Sequence, residues 1–142
     1  MSHKRKERQK SLSAKRRRKN ILAANKSSRI DDAVNTAVRY HQDGRLDRAE
    51  EVCKKALAIS PSHPSALHLL GLISYQVGKT DAAIDLIAQA IRSAPYNAVY
   101  YNTMGNALTD QGKKDKAISF YRRALEVNPN PVSYTHLRAH ET

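Results

Sequence analysis

A chain of 142 residues has room for one ordinary domain, and with 40% hydrophobic residues, a single phenylalanine and no tryptophan it should build that domain in one architecture. The lone cysteine, Cys53, excludes an internal disulfide and gives no metal-ligand spacing, which suits a reducing compartment. Twenty-five Lys and Arg against thirteen Asp and Glu leave a formal charge of +12, and that charge is unevenly spread.

Residues 1–29 hold twelve Lys or Arg and one acid, Glu7, a net +11; residues 30–142 hold thirteen bases and twelve acids, a net +1. A basic arm therefore precedes a nearly neutral body. With almost nothing apolar to bury and strong self-repulsion, the arm is predicted to be disordered or only transiently helical. Its cations fall in two clusters, Lys4 and Arg5, then Lys15, Arg16, Arg17, Arg18 and Lys19. That spacing resembles a bipartite nuclear import signal and equally suits nucleic acid or an acidic membrane surface, the plainer alternative being a solubilising leader. The arm has no Phe, Tyr or Trp to stack on bases, so any contact with nucleic acid would be electrostatic and non-specific. Its apolar run, Ile21 to Ala24, is too short for a secretory signal. No stretch of the chain approaches the roughly 20 apolar residues of a spanning helix. A cytoplasmic protein, or a nuclear one if the cell has a nucleus, is the expectation.

The body repeats itself. Pro61, Pro95 and Pro129 are 34 residues apart, as are Gly44, Gly78 and Gly112. Three further columns share the period: Asp47, Asp81 and Asp115; Ala49, Ala83 and Ala117; Ala56, Ala90 and Ala124. Each column has a physical task. The glycines end a first helix, where the chain must turn through a left-handed conformation. The aspartates enter the first turn of a second helix, facing its unpaired N–H groups and the positive end of its dipole. The alanines, with Gly71 and Gly105, let two antiparallel helices approach, while Leu67, Leu70 and Ile87, and then Tyr101, Met104 and Tyr121, fill the remaining space at helical spacing. The prolines stop the second helix. This predicts an all-α solenoid of three helix-turn-helix units over residues 30–63, 64–97 and 98–131, with Ser28 capping the first helix.

The segment YYNTMGNALTDQGKKDKAISFYRRALEVNP, with the columns above, resembles the tetratricopeptide repeat family over residues 30–131. Repeat 1 departs from the family pattern, carrying Ala33, Thr36 and Ala37 where a bulky residue, a leucine and a glycine are usual. The resemblance implies a right-handed superhelix whose first helices line a concave groove for peptides. Carried over position by position, it implies groove residues Val34 and Val38 in repeat 1, His68, Leu72 and Tyr75 in repeat 2, and Asn102 and Asn106 in repeat 3. The family's clamp for C-terminal carboxylates would need Lys, Arg and Asn where this chain has Val34, Val38, Leu69, Val99 and Thr103, so that ligand class is excluded. Asn102 and Asn106 lie one helical turn apart, and each amide can donate to and accept from a ligand backbone; the alternative is that both are simply solvated.

Other chemistry finds no constellation. Cys53 shares a second-helix column with Ile87 and Tyr121 and reads as a small core residue. His63 lies at an inter-repeat turn with no pairing Ser or Asp evident in sequence. His136, His140 and Glu141 do not follow the HExxH order. The chain is therefore expected to be non-catalytic, with no cofactor and no metal.

The last eleven residues, VSYTHLRAHET, lack the columns and resemble a translated sequencing adapter, so Val132–Thr142 is read as a non-native tail. On that reading the chain is an N-terminal fragment, and Ile118, Tyr121, Leu125 and Val127 form an uncovered apolar end that invites self-association. The expected function is a scaffold holding a protein or peptide partner. The alternatives are the targeting region of an O-linked N-acetylglucosamine transferase, whose repeats NTMGNAL resembles, and a polyanion-binding protein acting through the arm.

Overall fold

The computed structural model describes residues 2–129. Met1 and residues 130–142, including the adapter-like tail and the end of the third repeat, lie outside the described residues. Among the described residues there are six helices and no strand: α1 (Ser2–Gln42), α2 (Leu46–Ile59), α3 (Pro64–Gln76), α4 (Thr80–Ser93), α5 (Ala98–Asp110) and α6 (Lys114–Val127).

The periodic columns sit where their chemistry requires. Gly44, Gly78 and Gly112 adopt φ of +78°, +87° and +79°, and no other residue in the described chain has positive φ. After each, the chain enters its second helix with Asp47, Asp81 or Asp115 in the first turn. Each second helix ends two residues before its proline. The alanine columns are closed to solvent, between 0% and 3% exposed.

Helices pack in antiparallel pairs, α1 with α2, α3 with α4 and α5 with α6, and each pair stacks on the next through α2 against α3 and α4 against α5. The odd-numbered helices also touch along their own row, α1 to α3 and α3 to α5, whereas α2, α4 and α6 make no comparable contact. The array thus curves with the odd-numbered helices on its inner side. Its core runs along the stack as linked clusters, from Ile30 and Val34 near α1 to Tyr101 and Ala124 at α6. Cys53, fully buried among Ala37, Ala49 and Leu70, is a core residue, and burial pushes its thiol up to about 11.

The arm departs from expectation. Residues 2–29 are not a separate disordered segment but the first part of α1, one unbroken 41-residue helix. Lys, Arg, Gln, Leu and Ala are all good helix formers, and the packed turns from Ile30 onward supply the nucleus from which helix extends at little further cost. Ser28 accordingly lies mid-helix and caps nothing. From His3 to Arg29 every residue is exposed, so packing begins at Ile30 even though the helix does not.

Candidate functional site

The inner row is formed by the packed part of α1 together with α3 and α5, and the seven predicted groove residues all lie on it. They fall in columns of the repeat. Val34, His68 and Asn102 form one; Val38, Leu72 and Asn106, one turn further along, form another.

These columns differ in access. Val34 and Asn102 are 3% and 4% exposed, closed into the body. His68 is half-buried, its ring tilted over Tyr100 with centroids 4.7 Å apart and its Nε2 2.9 Å from Thr103 Oγ1. Thr103 donates its hydroxyl hydrogen to the Val99 carbonyl at 3.0 Å, so it accepts from His68, which fixes the ring as the Nε2–H tautomer. Burial, reinforced by His41, pushes the His68 imidazole down to about 4, keeping it neutral at ordinary pH. Val38, Leu72 and Asn106 all remain half-exposed. Asn106 accepts from the Tyr121 hydroxyl at 2.7 Å, which turns its carbonyl inward and leaves its amide N–H groups to offer.

A polar ladder along the inner row has no counterpart in the sequence reading. His41 donates from Nε2 to Gln76 Oε1 at 2.8 Å, and Tyr75 donates to Asp110 Oδ2. Both rungs join a residue to one 35 positions later, and they use the same two columns of successive repeats. The His68–Thr103 bond has the same separation. A fourth contact, Gln111 Nε2 to Asp81 Oδ1 at 2.6 Å, ties α5 back to the start of α4. Tyr75 is thus an inter-repeat tie, and burial followed by the Asp110 carboxylate pushes its phenol up to about 12. Tyr75→Phe should lower unfolding stability by about 1 kcal/mol, the usual net worth of one such bond. Urea denaturation measures it, and an unchanged midpoint would show that the rung carries nothing.

His63 also finds a partner that sequence distance concealed. Its Nδ1 accepts from the Ala66 N–H at 3.2 Å, capping α3, while its Nε2 donates to Asp31 on α1 at 2.9 Å. One side chain thereby starts a helix and fastens it to the preceding repeat. The seven arm residues predicted to bind anions, Lys4, Arg5 and Lys15 to Lys19, are exposed on α1 away from this row. Among the described residues, no group of three His, Cys, Asp or Glu converges as a metal site, and no helix is long and apolar enough to cross a membrane.

The tetratricopeptide repeat sequence model matches residues 98–131, and a second model of the same description matches residues 40–102. Together they run without a gap from residue 40 to residue 131. The chain belongs to the tetratricopeptide repeat family. Its fold is similar to that of a Thermobaculum terrenum O-GlcNAc transferase mutant, at 30% identity and a TM-score of 0.72, over 74% of this chain and 20% of that one. MamA is similar at 25% identity and a TM-score of 0.66, over 70% of this chain and 58% of MamA. The first repeat domain of Spaghetti (RPAP3), solved bound to the HSP90 peptide SRMEEVD, shares the fold at 21% identity and a TM-score of 0.70, over 78% of this chain and 88% of that one. This tetratricopeptide repeat chain thus spans about a fifth of the transferase and somewhat over half of MamA. No curated protein sequence matches it.

Proposed function

We infer that this chain is a non-catalytic scaffold that holds an extended segment of a protein or peptide partner along the inner row. The observation that carries this reading is the column Val38, Leu72 and Asn106, half-exposed on three successive inner helices. Two apolar side chains offer burial to a ligand's side chains, and an amide at the third position can bond its backbone. Val34 and Asn102 shape the floor, and His68 and Tyr75 hold the repeats in register. The Spaghetti domain, solved with a peptide bound, supports a peptide as the class of partner.

Selection of binders from a random peptide library displayed on phage tests it. Peptides enriched on the intact chain should lose at least about tenfold in affinity, some 1.4 kcal/mol, on Leu72→Glu and keep it on Ile118→Glu, whose site lies on α6. Equal losses would place binding elsewhere, and circular dichroism of both variants checks that the fold persists.

A second reading rests on the 30% identity with the O-GlcNAc transferase: the repeats would be the targeting region of such an enzyme, its catalytic part belonging to a longer protein. In that case the same column would select the acceptor protein. Ile118 and Leu125, 46% and 45% exposed on α6, are the residues through which self-association would run.

A further inference from the structure

The exposed part of α1 is the largest feature that the inner row does not use. It precedes Ile30 by 28 residues, which at about 1.5 Å per residue makes a rod of roughly 40 Å. Its cations are not confined to one face. Arg16, Arg17, Arg18 and Lys19 are consecutive, and at roughly 100° per residue they encircle the helix. Its one acid, Glu7, lies 3.2 Å from His3, and no acidic side chain is paired with any of the twelve cations by an ion pair among the described residues.

This arrangement discriminates among polyanions. A helix lying on an acidic membrane needs one apolar stripe. Here the 28 residues hold only three large exposed apolar side chains, Leu12, Ile21 and Leu22, and although Leu22 lies about 80° from Leu12, Ile21 is on the opposite side of the helix, so they make no continuous stripe. Single-stranded nucleic acid is gripped by stacking on aromatic rings, and the arm has no Phe, Tyr or Trp. The major groove of duplex RNA is too deep and narrow for a helix to enter. The major groove of B-form DNA is about 12 Å wide, matches the diameter of a helix, and has phosphates along both rims. A helix seated there meets negative charge on both flanks, and cations all round it are the complement.

We propose that residues 2–29 of α1 dock as a rigid basic helix in the major groove of duplex DNA, without base specificity. Because α1 runs unbroken into repeat 1, DNA-bound α1 would carry the inner row at a fixed distance and angle from the duplex. The proposal is independent of what the inner row binds.

The test is fluorescence anisotropy of the full chain on a labelled 20-base-pair DNA duplex, on RNA duplex of the same sequence, and on phosphatidylcholine vesicles with phosphatidylglycerol. DNA should bind most tightly, with log K falling against log salt at a slope of about −5 to −7, as expected for roughly six to eight phosphates neutralised. R16Q/R17Q/R18Q/K19Q removes four of the twelve cations, roughly two to three of which would meet phosphates, and should flatten that slope by about 2. Ala24→Pro leaves every charge in place but breaks the helix, and should weaken DNA binding at least about tenfold. Circular dichroism of each variant confirms that α2 to α6 persist. RNA or vesicles bound as tightly as DNA, a slope unmoved by the glutamines, or affinity unmoved by the proline would each overturn groove docking; the last would mean the arm acts as a flexible polycation.

Discussion

Gly105→Ala should destabilise the chain by about 2 kcal/mol although alanine is the better helix former. A Cβ at Gly105 would stand 2.3, 2.6 and 2.8 Å from three ring atoms of Tyr121 on α6. The ring cannot swing aside freely, because its hydroxyl is held by Asn106 at 2.7 Å and lies 3.3 Å from Thr109 Oγ1. Overpacking of this kind costs about 1–3 kcal/mol, and displacing the hydroxyl forfeits about 1 more. The gain in helix propensity offsets only about 1 kcal/mol. For a domain of this size each kcal/mol lowers Tm by roughly 4–8 °C, so a melting curve resolves the effect easily. Gly71→Ala is the internal control, since its Cβ would have one contact under 3 Å, at 2.9 Å to Ile87 Cγ1. It should cost distinctly less. The decisive measurement is a double-mutant cycle: in a Tyr121→Ala background the clash is gone, and Gly105→Ala should become neutral or stabilising. A penalty that survives there would locate the constraint in the backbone rather than in the ring.

That glycine shows which parts of the molecule are legible in a sequence. Residues whose task is the same in every repeat recur at the same position, so the turn glycines, the first-turn aspartates, the alanine columns and the terminating prolines announce the fold through their period alone. The inter-repeat ties are different. His41 and Tyr75 occupy one column and Gln76 and Asp110 another, yet each rung uses a different donor and acceptor, because a hydrogen bond needs only complementary atoms at the right separation. Without a recurring residue type there is no column to see. His63 escaped for the same reason, its partner Asp31 being 32 positions away. The arm differs from its composition for another cause: composition measures what a segment can bury but not the helix already nucleated at its end. Sequence position placed the seven predicted groove residues on the odd-numbered helices. It could not tell that Val34 and Asn102 are closed off, since that depends on how neighbouring helices meet.

The inner row should also come apart in acid more readily than its carboxylates require, because of His68. Free histidine titrates near 6.5, and in the folded chain burial first, and His41 second, push His68 down to about 4. Above about pH 6.5 the ring is neutral in both folded and unfolded chain, and pH has no leverage through it. Between 6.5 and 4 the unfolded chain takes up a proton that the folded chain refuses, so stability falls as pH falls; below 4 both forms are protonated and the slope ends. The whole window is worth about 3 kcal/mol, from 1.36 kcal/mol per pKa unit. Carboxylates titrate in the same range, so the informative quantity is the difference between the parent and His68→Gln, which keeps a donor for Thr103 but cannot charge. At about pH 7.5 the parent should be the more stable, having the ring over Tyr100. By about pH 4.5 its margin over the variant should have shrunk by about 2–3 kcal/mol in urea denaturation. Parallel pH profiles would show that the imidazole accepts its proton within the fold, in a cavity that water reaches. A narrowing margin would instead tie the acid sensitivity to the ring held between α3 and α5, beside the column formed by Val38, Leu72 and Asn106.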